Sequence, residues 1–273
     1  MAKTIFITGA SRGFGKIWAK ALLDRGDQVA ATARNLDHLN DLVTEYGSKI
    51  LPIQLDVTDR AASFAAVQKA ADHFGHIDVL INNAGYGLFG TIEENTEAEV
   101  RQQFETNVFG LLWVTQATLP IMRQQGHGHI IQVSSILGVV TLPNLGIYNA
   151  TKFAVEGLSE TLASEVKDMG INITLVEPNG FATDWAGASA VQSTQLPAYD
   201  GVRAAFAKGM ENPDTFGIPE ATTPAILKLI DAPQPPLRLF LGKVALPFAK
   251  QVYEQKLAEW HEWQDVSNAA HGK

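Results

Sequence analysis

Short runs of β-branched and aliphatic residues alternate along the chain with longer segments in which apolar residues recur every three or four positions. The runs TIFIT (4–8), QVAATA (28–33), ILPIQLD (50–56) and DVLINNAG (78–85) predict four strands in the first third of the sequence. GHIIQVSS (128–135), NITLVEP (172–178) and the short LRLFLG (237–242) predict three more. Helical periodicity follows the first strand as far as about Gly26, and returns over 36–47 with Asn35 as the N-cap. The long segment 98–126 reads as helices, with Pro120 expected to kink or tighten the chain, and a further helix runs from about Tyr148 to Met169. Strands joined by crossover helices pair in parallel through right-handed connections. The expected fold class is therefore α/β: an open, doubly wound, mostly parallel sheet of about seven strands, in one domain over residues 1–273. Two regions are less regular, a mixed small, polar and apolar stretch at 184–217 and an extension at 244–273 holding an amphipathic helix and a polar tail.

Composition narrows the partners. A chain that is 46% hydrophobic and 18% charged can build an ordinary globular core. A net charge of −8 disfavours nucleic acid and anionic membrane surfaces, both of which would repel it. The absence of cysteine excludes disulfides, thiolate chemistry and cysteine-ligated zinc. The histidines fall in a turn (His127, His129) and at a helix end (His73, His76), not in a ligand set, so no metal is assigned. No run approaches the roughly 18 apolar residues of a membrane span, and MAKTIFITGA does not read as a signal peptide, so a cytoplasmic location is expected.

Candidate chemistry begins at TGASRGFGK, residues 8–16, between the first strand and its helix. A P-loop would need glycine where Ala10 stands and a hydroxyl where Ile17 stands, so a nucleoside triphosphate is excluded. Gly9, Gly13 and Gly15 remain, placed so that the backbone can turn sharply and bring a pyrophosphate to the helix N-terminus. A tight β-to-α turn without any ligand is the plain alternative. Far downstream, Tyr148 and Lys152 stand four positions apart and so share one helix face. Ser135 ends the fifth predicted strand, where ligands bind in open α/β sheets.

Over residues 4 to about 184 the sequence resembles the short-chain dehydrogenase/reductase family, which has a Rossmann-like fold. TGASRGFG resembles the family's TGxxxGxG, and NNAG (82–85) its fourth-strand motif. Asn107, Ser135, Tyr148 and Lys152 match its catalytic tetrad in order and spacing, and EPNGFATD (177–184) resembles the segment beside the nicotinamide. The resemblance implies hydride transfer between a nicotinamide cofactor and a ketone, aldehyde or secondary alcohol. Tyr148 would be the general acid or base, with its pKa lowered by the Lys152 ammonium. Ser135 would hold the substrate oxygen, and Asn107 would position a water linking Lys152 to solvent. Cofactor contacts are expected from Gly9, Ser11, Arg12, Gly13, Phe14, Gly15, Asn83, Ala84 and Gly85, from Asp56 and Val57 at the adenine, and from Tyr148, Lys152, Pro178, Gly180 and Thr183. NAD binding would need an acid at the end of the second strand, where Ala33, Arg34 and Asn35 stand. Arg34 and Arg12 suit a 2′-phosphate, so NADP(H) is the expected cofactor. Tyr86, Leu137, Phe181 and Trp185 are expected to line a substrate site for a small apolar carbonyl or alcohol.

The family's Pro-Gly is Pro178-Asn179 here, and asparagine tolerates a left-handed turn better than most residues. The resemblance also implies a homodimer or homotetramer, although the 244–273 extension replaces a glycine-rich tail found in many tetrameric relatives. Two other functions are weighed beside the reductase. One is an NADP(H)-binding sensor without turnover, for which an intact Ser-Tyr-Lys set would have no chemical use. The other is a phosphate-transferring enzyme, which the failed P-loop disfavours.

Overall fold

The structure, a computed structural model, describes residues 2–183, 185, 187, 189–212 and 215–272. Its strands are β1 (Thr4–Ile7), β2 (Gln28–Ala33), β3 (Ile50–Gln54), β4 (Val79–Asn82), β5 (Leu88–Phe89), β6 (Gly128–Val133), β7 (Ile171–Pro178), β8 (Val191–Gln192) and β9 (Arg238–Leu241). Its helices are α1 (Gly13–Arg25), α2 (Asn40–Tyr46), α3 (Arg60–Phe74), α4 (Glu97–Phe104) and α5 (Leu111–Gln125). They continue with α6 (Gly146–Glu165), α7 (Asp200–Met210), α8 (Thr223–Asp231), α9 (Ala245–Glu262) and α10 (Gln264–Ala269).

Seven strands form one sheet in the order β3-β2-β1-β4-β6-β7-β9, and every pairing is parallel. This is the Rossmann-like, doubly wound sheet that the pattern predicts. Strands buried on both faces explain why the apolar runs are continuous and not alternating. Along β1, Ile5 and Ile7 join the layer of α1 with Trp18 and Leu22, while Phe6 joins the opposite layer with Leu80 and Ile130. The sheet reverses direction of growth between β1 and β4, so a crevice opens beyond their carboxyl ends. That crevice positions the site.

Local signals set the boundaries. Gly26, at φ 100°, ends α1 and donates its N–H to Leu22 and Leu23 carbonyls. Asn35 accepts from the Asp37 N–H at 3.0 Å as expected, but the turn that it caps is 3₁₀ over Leu36–Leu39 before α2 begins. The alanine-rich helix α3, which the apolar pattern does not delimit, is capped by Asp59 on the Ala62 N–H at 2.9 Å.

The 98–126 segment departs from expectation at a different residue. Pro120 stays within α5, and Gln116, whose carbonyl loses its helical partner, is exposed where water can serve it. The irregularity lies upstream, in a π-helical turn over Glu105–Gly110. Gly110 is required there, since a Cβ would sit 2.6 Å from Val57 Cγ2. The 184–217 stretch contributes β8, paired to β5 by Leu88↔Val191, and then α7. The extension forms α9 and α10, where a polar tail was expected after a single helix. No helix among the described residues is long and apolar enough to cross a membrane.

Candidate active site

The glycine loop leaves β1 at the crevice. Gly9 has φ +68°, and Gly15 lies against it so closely that a Cβ would stand 2.3 Å from the Gly9 carbonyl oxygen. Asn83 locks the arrangement, its Nδ2 donating to the Thr8 and Gly9 carbonyls at 3.0 and 3.1 Å. The Thr8 hydroxyl in turn accepts the Asn83 and Ala84 N–H groups, each at 2.9 Å. The NNAG motif thus holds the loop, and Asn82 does the same for the sheet by donating to Thr115 and Gln132.

A cleft of about 1210 Å³ begins at this loop, lined by Gly9, Ser11, Arg12, Gly13 and Phe14. Gly15 lies outside that lining and serves by letting the loop close on itself. The first N–H groups of α1 have no side-chain cap and remain available to an anion. Arg34, Asp56 and Val57 line one end of the cleft, with Ala84 and Gly85 beside the loop. Asp56 spends one carboxylate oxygen on the Thr58 N–H and hydroxyl. Arg12 and Arg34 are exposed and form no ion pair among the described residues. A cradle without Cβ atoms, a bare helix N-terminus and two uncommitted guanidinium groups fit a dinucleotide that carries an extra phosphate.

At the other end Ser135, Tyr148 and Lys152 come together from the end of β6 and from α6. The Ser135 hydroxyl accepts the Leu137 N–H at 3.1 Å and lines the same cleft as the phenol, near enough to lower its pKa. Tyr148 is 5% exposed, and burial raises its pKa, with the Ser135 hydrogen bond acting against that rise. Lys152 donates to the Val133 carbonyl at 2.8 Å and lies 5.6 Å from the Tyr148 ring centroid. Burial pushes the ammonium down to about 8, and Glu156 opposes that fall. The lowering of the Tyr148 pKa expected from Lys152 is therefore not what these side chains produce; desolvation of the phenol dominates.

Asn107 sits in the π-turn behind Tyr86 and does not line the cleft. Its Oδ1 accepts the Tyr86 N–H at 3.1 Å, and its Nδ2 donates to the Tyr86 carbonyl at 3.0 Å and to Thr151 Oγ1 at 3.3 Å. Gln103 donates to the same Tyr86 carbonyl at 2.7 Å. No hydrogen bond joins Asn107 to Lys152 among the described residues.

Of the expected substrate residues, Tyr86, Leu137 and Trp185 line the cleft; Leu137 and Trp185 pack in one cluster with Tyr148, the Trp185 and Tyr148 ring centroids 4.8 Å apart. Phe181 also lines it but packs elsewhere. Its ring meets Phe14 edge-on at 5.2 Å and covers Gly217, on the glycine-loop side. Pro178, Gly180 and Thr183 line the cleft as expected, and Asp184 lies outside the described residues. Asn179 does not use a left-handed backbone, since Asn144 is the one non-glycine with positive φ among the described residues. Its side chain instead bridges the Gly180 and Thr215 carbonyls and fills the space where Gly242 lacks a Cβ. The far wall, Phe206 and Met210 of α7 with Val244 and Phe248 at α9, had no signal in the motifs and is assembled by tertiary packing alone.

Fold and cleft together define a dinucleotide-binding oxidoreductase. Residues 3–193 match the short chain dehydrogenase family. The chain is similar to Oxidoreductase BOA17 of Botryotinia fuckeliana (strain B05.10), with 41% identity over 99% of this chain and 100% of that one. Its fold is similar to that of a short-chain dehydrogenase from Streptomyces avermitilis (38% identity, 98% of each chain covered, TM-score 0.92). It is also similar to a short chain dehydrogenase from Burkholderia cenocepacia J2315 in complex with NADP (25% identity, 96% of this chain and 97% of that one, TM-score 0.76). The chain belongs to the short-chain dehydrogenase family and is an oxidoreductase that uses a nicotinamide cofactor.

Proposed function

We propose that the protein is an NADP(H)-dependent carbonyl reductase or alcohol dehydrogenase acting on an apolar ketone, aldehyde or secondary alcohol, with the whole chain working as one domain. The observation that carries this reading is the convergence of Ser135, the buried Tyr148 phenol and Lys152 in one cleft that begins at the glycine loop.

When bound, the nicotinamide supplies hydride to the substrate carbon, or accepts it in the reverse direction. Ser135 holds the carbonyl oxygen and stabilises charge developing on it. Tyr148 gives that oxygen its phenolic proton. A phenol kept protonated by burial is suited to this acid role at neutral pH. Lys152, anchored to Val133, keeps a cation beneath the ring. Asn107 ties the Tyr86 backbone to Thr151, the neighbour of Lys152 on α6. Arg12 and Arg34, which line the cleft, would hold a 2′-phosphate, and Asp56 and Val57 would flank an adenine. Tyr86, Leu137 and Trp185, with Phe206 and Phe248 beyond, exclude water and favour an apolar body on the substrate. Half-exposed Phe109 and Phe153 are compatible with assembly as a homodimer or homotetramer.

A panel of ketones and aldehydes, followed by loss of NADPH absorbance, tests the reading. Turnover of apolar members is expected. Tight NADPH binding with no turnover across the panel would favour a sensor instead.

A further inference from the structure

Beneath the floor of the cleft lies a charged group that the mechanism above does not use. Glu177, near the end of β7, is 0% exposed, and neither of its carboxyl oxygens has a hydrogen-bond partner when both are ionised acceptors. Glu156 lies on α6 one turn beyond Lys152, so the two side chains share a helix face. It is 6% exposed, and its Oε1 likewise lacks a partner.

The surrounding charges are few. From β9, Arg238 reaches Glu156 at 3.2 Å, Glu160 at 3.0 Å and Glu177 at 3.4 Å. From α6 come Lys152 and the largely exposed Glu160. From the end of β6 comes Ser134, buried, whose hydroxyl is close enough to Glu156 that both would crowd a Cβ on Gly138. One guanidinium shared with Glu160 cannot neutralise two further buried carboxylates. Two buried carboxylates that approach one Arg238 Nε, at 3.2 and 3.4 Å, relieve their repulsion if a single proton is held between them.

We propose that Glu156 and Glu177 hold one proton between them and together present a single negative charge, which keeps Lys152 an ammonium in its place below Tyr148. Both are positioning residues, and the inference rests on the proposed role of Lys152. Burial and the neighbouring Glu156 push Glu177 up to about 8, as a proton-sharing pair requires. Glu156 in turn resists the loss of the Lys152 proton.

The pair has a signature that two independent carboxylates lack. In Glu156→Gln the charge passes to Glu177, whose ionisation burial still opposes but Glu156 no longer does, with Arg238 favouring it. Only Glu156→Gln/Glu177→Gln removes it. The double variant should therefore shift the pH profile of kcat/KM by about one unit or more, with each single variant shifting it by much less. A double-variant profile superimposed on that of the wild type, or equal to the sum of two large single shifts, would overturn the proposal.

A measurement independent of activity separates this inference from the function. In wild-type protein labelled with ¹³C at the glutamate carboxyls, one carboxyl should titrate above about pH 6.5. That signal should vanish in Glu177→Gln. Carboxyls that all titrate below about pH 5.5 would refute the shared proton even in an active reductase. The high-titrating signal in a protein inert towards every carbonyl would leave the pair standing and refute the reductase.

Discussion

At the scale of single residues, the proposed chemistry concentrates in one phenol. Removing its oxygen leaves the ring contact with Trp185 in place, so Tyr148→Phe should fold normally and bind NADPH as before. Reduction should fall by roughly 10²- to 10⁴-fold, the usual worth of a positioned general acid; steady-state rates and NADPH fluorescence titration measure the two effects. Because burial raises the Tyr148 pKa, the acid form persists throughout the neutral range. Reduction should stay level there, while alcohol oxidation, which needs the phenolate, should climb as pH rises. The Arg34 guanidinium forms no ion pair among the described residues. Arg34→Ala should weaken NADPH by roughly 10- to 100-fold and NADH far less, read by parallel binding titrations. Equal losses would remove the basis for a 2′-phosphate site.

At the scale of elements, the β1–α1 turn shows how little freedom the cradle has. A Cβ on Gly15 would fall 2.3 Å from the Gly9 oxygen and 2.5 Å from Asn83 Nδ2. Backbone on one side cannot give way. Gly15→Ala should cost about 1–3 kcal/mol of stability, and NADPH binding should weaken as the loop opens; urea unfolding and calorimetry would show both. This turn and the β-runs were legible from sequence because they depend on neighbours in the chain. Asn35 and Gly26 were legible for the same reason, as local caps. The π-turn was not. It depends on Asn107 reaching Tyr86, 21 positions away, and on Gly110 meeting Val57. Pro120, the residue that looked disruptive, lies with Gln116 on the exposed side of α5 and stays within the helix. Asn179 shows the same limit, its side chain being accommodated by Gly242, some sixty residues later.

At the scale of the molecule, two buried groups set opposite limits on stability. His129, in β6, bonds Thr174 of β7 at 2.9 Å, and burial lowers its pKa to about 4 from the ordinary 6.5. Between those values the unfolded chain binds more protons, so stability is complete above about pH 6.5 and drains away as pH falls towards 4. Glu177 acts in the other direction. Raised from 4.5 to about 8, it binds more protons when folded, so its contribution is present below 4.5 and is lost as pH rises through 8. The two dependences oppose each other between about pH 4.5 and 6.5, so thermal midpoints should stay nearly level there and fall from about pH 6.5 to 8; Glu177→Gln should abolish that alkaline fall and uncover the His129 loss below pH 6.5.

The sequence by itself determined the succession of the seven strands of the large sheet along the chain, the glycine turn and the spacing of Ser135, Tyr148 and Lys152. Each follows from period, local backbone freedom or helix geometry, which act over a few residues. Tertiary structure alone decided that Phe181 packs against Phe14 while Trp185 meets Tyr148. It also decided that α7 and α9 close the far wall, and that Glu156, Glu177 and Arg238 meet beneath the site. Those contacts join residues tens of positions apart, and burial, which sets their pKa values, exists only once the layers have packed.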